Sequence, residues 1–262
     1  INIYNTILKL DPDDRRAADE LAAKFRVLGR WNDLIAVLHK KAEAPGVPDE
    51  ERVALLREIA DLWSERFGNF ANAVKPLERI LELAPGDQGT IDKLKEIYTK
   101  RRQWRALIDV LGREARVLPA EARRAKQNEM ARLAAERLGD TRLAIELQNQ
   151  LLADDRRAAE GGEARPDDPA LLATLAGLYE REKRYLALVE IIHRQRAALE
   201  GKEAIALLEK LGQLYHDRLG SPAAAAAVWE EILEIEPGHA RALRTVRELY
   251  ATAGDFAGLE KL

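Results

Sequence analysis

The residues best suited by type and spacing to do chemistry are four histidines, several paired carboxylates and a regular series of aromatics. Histidines and carboxylates can hold a metal ion or move protons, and aromatic faces can stack on bases or sugars. His39 and His193 are equivalent, each standing eight residues after an aromatic of the series, Trp31 and Tyr185. The matching residue between them is Gly112, so they read as separate surface histidines and no metal is expected. Asp13-Asp14 and Asp154-Asp155 fall at expected turns, where capping accounts for them without acid or base work. With no cysteine there is no disulfide framework, thiolate zinc site or cysteine nucleophile. Glycine-rich phosphate loops, nucleophile elbows and helical zinc motifs are also missing. The expectation is a non-catalytic chain with no cofactor.

Composition narrows the class. The 262 residues are 33% charged and 47% hydrophobic, which is helix-forming material with abundant wetted surface. The net charge of -3 comes from interspersed signs, which offers no footprint for phosphate backbones and argues against nucleic acid as a partner. No stretch reaches the roughly 18 to 20 apolar residues of a membrane span, so no membrane insertion is expected. Starting at Ile1 without a signal layout, the sequence reads as a piece of a longer or processed protein, with the cytoplasm as the default location.

Repetition organises the whole chain. Pro12, Pro85, Pro166 and Pro237 are each followed thirteen residues later by Phe25, Tyr98, Tyr179 and Tyr250. Nineteen residues after the same prolines stand Trp31, Trp104, Tyr185 and Phe256, and twenty-two after them Leu34, Leu107, Leu188 and Leu259. A second unit alternates with the first, marked by Gly68, Gly139 and Gly220, each five residues ahead of Ala73, Ala144 and Ala225. Proline spacings of 73, 81 and 71 leave about ten surplus residues in the middle interval, 156–165, expected as an inserted loop.

Apolar residues within each half-unit recur at helical spacing, as in Leu21, Phe25 and Leu28, so each half-unit is expected to be a pair of helices. Asp87, Asp168 and Ser221 are candidate caps, Pro169 and Pro222 suit first helical positions, and Gly29, Gly68, Gly139, Gly220 and Gly254 suit turns. The turn aromatics, with Trp63 and Trp229, are expected to pack inside. The units expected are 1–11 (partial), 12–48, 49–84, 85–119, 120–155, 166–201, 202–236 and 237–262 (partial), with about fourteen helices and no strand.

Leu94, Tyr98, Trp104 and Leu107, Gly254-Asp255-Phe256 after Tyr250, and the small residues Ala60, Ala131 and Gly212 resemble the tetratricopeptide repeat across essentially the whole chain. The alternate units depart from its pattern in first helices one residue longer. The resemblance implies an all-α, right-handed α-α superhelix of about seven helical hairpins with a partial helix at each end. It further implies a protein-protein interaction scaffold whose first helices line a concave groove for a peptide or partner protein. Carried over by register, the lining is Arg16, Asp19, Ala23 and Arg26; Arg57 and Asp61; Asp92, Glu96 and Lys100; Asn128 and Arg132; Ala173, Gly177 and Arg181; Glu209 and Gln213; and Arg241, Arg244 and Glu248. Its mixed charge suits a mixed-charge or partly apolar partner better than a purely acidic tail. Two alternatives remain: an array that self-associates through Ile3, Ile7 and Leu10 at its open end, or the regulatory domain of a larger enzyme or transcription factor.

Overall fold

The computed structural model describes residues 1–11, 14–160 and 167–261. Pro12, Asp13 and Pro166, with the 161–165 portion of the expected loop, lie outside them. The chain divides into two compact units, Ile1–Leu138 and Gly139–Leu262. The first holds α1 (Asn2–Leu10), α2 (Arg15–Leu28), α3 (Trp31–Glu43), α4 (Asp49–Asp61), α5 (Phe70–Leu83), α6 (Gln88–Lys100), α7 (Trp104–Val117) and α8 (Ala120–Leu133). The second holds α9 (Thr141–Glu160), α10 (Pro169–Arg181), α11 (Tyr185–Ala197), α12 (Gly201–Asp217), α13 (Pro222–Ile235), α14 (Ala240–Ala253) and α15 (Phe256–Lys261). There is no strand among the described residues. In each unit every helix packs against its neighbours in sequence, which makes each unit a stack of helical hairpins.

The helix starts follow from short polar residues placed just ahead of them. Asp14, Asp87, Asp168 and His239 occupy one repeat position and accept from the backbone N–H of Ala17, Thr90, Ala170 and Ala242 respectively. Each cap satisfies a donor that the helix itself cannot, a contribution of about 1 kcal/mol. Pro169 and Pro222 open α10 and α13. Ser221 corrects the expectation: it precedes Pro222, yet its side chain makes no capping hydrogen bond. Proline at the first helical position has already removed one orphan donor there. Gly29 and Gly254 end α2 and α14 in the left-handed conformation, and Arg102 and Lys183 take the same conformation at the equivalent turns, with φ of 54° and 56°.

Leu21, Leu34, Leu38, Ile59, Leu77, Ile80, Ile91, Leu94 and Leu111 are fully buried in the first unit, as are Ile145, Leu151 and Trp229 in the second. Leu28 departs from its apolar stripe and is exposed, because the chain turns at Gly29 before a neighbour covers it. Tyr98 donates to Glu78 at 2.6 Å and Tyr179 to Asn149 at 3.0 Å, and Tyr250 donates to Glu230. The three acceptors are equivalent, so one repeated phenol ties α6, α10 and α14 each to the helix before it.

A π-helical turn follows α4 at Leu62–Arg66 and another follows α8 at Ala134–Leu138. Such a turn accommodates one extra residue in a helix, the residue by which these first helices exceed the tetratricopeptide pattern. The inserted segment also differs from its expected form. Helix α9 continues to Glu160, so 156–160 is helical and not loop. The sequence Arg-Arg-Ala-Ala-Glu contains only good helix formers, and nothing in it ends the helix earlier.

Candidate binding surface

The residues carried over as groove lining stand on the first helices of the hairpins: Arg16, Asp19, Ala23 and Arg26 on α2, Arg57 and Asp61 on α4, and Asp92, Glu96 and Lys100 on α6. Asn128 and Arg132 stand on α8, Ala173, Gly177 and Arg181 on α10, Glu209 and Gln213 on α12, and Arg241, Arg244 and Glu248 on α14. Three of them meet. Arg26, Arg57 and Asp61 line a hollow of about 530 Å³ between α2, α3 and α4, over a floor that includes Trp31, Leu34, Ala54 and Leu62. Glu58, Glu65 and Arg66 complete the rim.

Most of the charges in this set are already paired. Both oxygens of Glu58 accept from Arg26, at 2.8 Å each, joining α4 to α2. Arg57 reaches Asp87 at 2.8 Å, and Lys93 reaches Asp61 at 2.5 Å, joining α6 to α4. Asp19 pairs with Lys41, Asp92 with Lys95, Lys100 with Glu96, Arg132 with Glu136, and Glu209 with Arg241. Exposed pairs of this kind contribute little stability individually, up to about 1 kcal/mol. Only those that join different hairpins, Arg26–Glu58, Arg57–Asp87, Asp61–Lys93 and Glu209–Arg241, can help to fix the register between neighbours. Arg16, Arg181, Arg244 and Glu248 make no side-chain ion pair among the described residues.

Asp87 shows the local electrostatics. Partial burial pushes its carboxyl upward, but hydrogen bonds from Thr90 and the Arg57 guanidinium outweigh that and leave it below the usual carboxylate range. The carboxylate is therefore held charged while it caps α6 and anchors Arg57 at the hollow.

The turn aromatics sit at the boundary of the core. Trp31, Trp104 and Tyr185 are half-buried beneath the guanidinium groups of Arg66, Arg137 and Arg218, at 4.9, 5.9 and 5.9 Å from the ring centres. Phe256 corrects the expectation of a packed aromatic: it is 75% exposed, since no described arginine covers it. Trp229 is 2% exposed and Trp63 is half-buried against Phe67. Arg66 and its equivalents had not been singled out, although each stands two residues before a turn glycine. That spacing, read with the aromatic series, is the signal that would have found them. Among the described residues no three His, Asp or Glu side chains gather as a metal site.

No protein-family model matches the chain, and no curated protein matches it. Its fold is similar to solved structures at low identity. The tetratricopeptide-like repeats of a kinesin light chain from Podosopora anserina are 22% identical, cover 71% of this chain and 95% of theirs, and give a TM-score of 0.33. YrrB, described as a tetratricopeptide protein with an unusual peptide-binding site, is 13% identical over 73% of this chain and 90% of its own, with a TM-score of 0.35. The Naa15/Naa10 complex bound to HypK-THB gives 0.43 at 13% identity; the match covers 94% of this chain and 35% of that one. On its own geometry, each unit is an all-helical, tetratricopeptide-like stack of hairpins.

Proposed function

We propose that the chain is a non-catalytic interaction module that holds a segment of a partner protein in the hollow between α2, α3 and α4. The observation that carries this reading is a partly apolar floor, Trp31, Leu34, Ala54 and Leu62, beside a rim on which Arg26, Arg57, Glu58 and Asp61 are each neutralised by a neighbour. An apolar side chain entering such a hollow loses water without stranding a charge, and the rim supplies hydrogen bonds to the peptide backbone around it. The other groove residues, Arg16, Arg181, Arg244 and Glu248 among them, belong to the same proposal as contacts farther along their own units. A cytoplasmic setting belongs to it too; no helix among the described residues is long and apolar enough to cross a membrane.

The test uses a plug. Ala54 is exposed on α4, so Ala54→Trp fills the hollow without entering the core. Peptides selected from a displayed library on the wild-type chain are expected to carry an apolar anchor and to lose binding to A54W. Failure to select any peptide, or equal binding of the selected peptides to A54W, would overturn the proposal.

A second reading rests on α1, where Ile3 and Leu10 are 75% and 83% exposed and Ile7 is half-buried. Two copies covering these residues would self-associate. Light scattering over a range of concentrations decides this, and a monomer throughout removes it.

A further inference from the structure

The turns inside the hairpins of the first unit form a continuous edge that starts at the hollow, which Trp31 and Arg66 help to line, and runs away from it. Arg66, from the end of the α4 hairpin arm, lies over Trp31 of the preceding turn at 4.9 Å. Lys100 at the end of α6 lies over Phe70 at 5.4 Å, and Arg137 lies over Trp104 at 5.9 Å. Each contact reaches one turn back, so the turns stand side by side in chain order. Between them the α6–α7 turn reads Lys100-Arg101-Arg102-Gln103-Trp104-Arg105. Arg66, Arg101, Arg102 and Arg137 are exposed and make no ion pair among the described residues. A chain of net charge -3 thus carries a local excess of cations along this edge, with Glu65, Glu96 and Glu136 interspersed.

Backbone strain supplies the second observation. Arg102 holds φ at 54°, the conformation that Gly29 and Gly254 adopt at the equivalent turns with φ of 65° and 70°. A side chain in this region costs roughly 1 kcal/mol that glycine avoids. Lys183, at the same place in the second unit, also holds positive φ, at 56°. At both middle turns a cation occupies the position that costs most to give it.

We propose that this edge of the first unit is an interaction surface for an acidic protein segment, rich in Asp and Glu. The faces of Trp31, Phe70 and Trp104 are already engaged by cations, which removes the free stacking platform that single-stranded nucleic acid needs. A guanidinium stacked on a ring keeps its in-plane N–H donors, and their fixed fork matches a carboxylate. The overall negative charge opposes a long polyanion, whereas a short acidic segment meets only the local strip within a screening length of about 10 Å.

The experiment measures fluorescence anisotropy of a labelled peptide of alternating Glu and Asp with the full chain, beside a thymidine oligonucleotide and phosphatidylserine vesicles. Wild type is expected to bind the peptide in a salt-sensitive manner and in preference to the other two probes. Arg102→Asn keeps a residue that tolerates left-handed backbone but removes the charge, and should weaken peptide binding about five-fold, whereas Arg102→Lys restores most of it. Thermal melting of R102N at or above the wild-type midpoint is expected, because no fold contact is lost. No peptide binding by wild type, unchanged binding by R102N, preference for oligonucleotide or vesicles, or a clearly lowered R102N midpoint would each overturn the proposal.

Discussion

Gly212 and Trp229 test whether the stacking of hairpins is a close steric fit. A Cβ added at Gly212 on α12 would lie 2.5 Å from Nε1 and 2.8 Å from Cε2 of Trp229 on α13, far inside contact distance. Trp229 is the largest fully buried side chain, so the indole has no open space to move into. Gly212→Ala should therefore incur an overpacking cost of about 1 to 3 kcal/mol. The better helix propensity of alanine returns up to about 1 kcal/mol, so a cost in the upper part of that range, about 2 to 3 kcal/mol for a 2.5 Å approach to a buried ring, leaves a net loss of about 1 to 2 kcal/mol. Guanidinium denaturation followed by helical circular dichroism measures it, with an accompanying fall of about 4 °C in melting midpoint per kcal/mol. Trp229→Leu alone creates a cavity and costs about 2 kcal/mol, but in its background Gly212→Ala should become neutral or stabilising. The expected coupling is therefore at least about 1 kcal/mol. Wild-type stability in G212A, or additivity in the double variant, would refute the steric argument.

Tyr98→Phe should cost about 1 kcal/mol through the lost hydrogen bond to Glu78, and Tyr98→Ala about 3 kcal/mol or more through the cavity; denaturant midpoints separate the two. Burial and then the Glu78 hydrogen bond push the Tyr98 phenol up, while the Tyr250 phenol is pushed up to about 12, first by its hydrogen bond to Glu230. Both raised values mean that stability is fully present below the ordinary phenol range and is lost as pH rises through them, so phenolate absorbance should lag and then rise with unfolding. Asp87 acts at the other end of the scale: its depressed carboxyl contributes stability above about pH 4 that disappears as pH falls through the folded value. Asp87→Asn should blunt that acid loss in a series of melts.

Much of the fold was legible because the same contact recurs. The offset from each proline to its aromatics marks the ends of α2, α6, α10 and α14 and the starts of α3, α7, α11 and α15, since a helix pair can repeat only if its turn falls at a fixed count. The acidic caps followed from the same count. What remained hidden depended on three-dimensional neighbours. Asp61 and Arg26 stand on α4 and α2, yet Lys93 and Glu58, which neutralise them, stand about thirty residues away. Likewise Trp31 reads as core from its spacing, while its half-exposure beneath Arg66 depends on a turn in the next hairpin. The extension of α9 past the expected boundary shows the reverse case, where local propensity decided and the repeat count misled.

The π-helical turns after α4 and α8 have a consequence for how such a chain tolerates change in length. Widening a helix by one residue at that point confines the surplus to a single coil, so every apolar side chain downstream keeps its facing. Asn69 still closes onto the carbonyl of Trp63 through its backbone N–H at 2.8 Å, just ahead of α5. An added residue is thereby absorbed like slack in one loop of a spring, and the succeeding coils remain in phase.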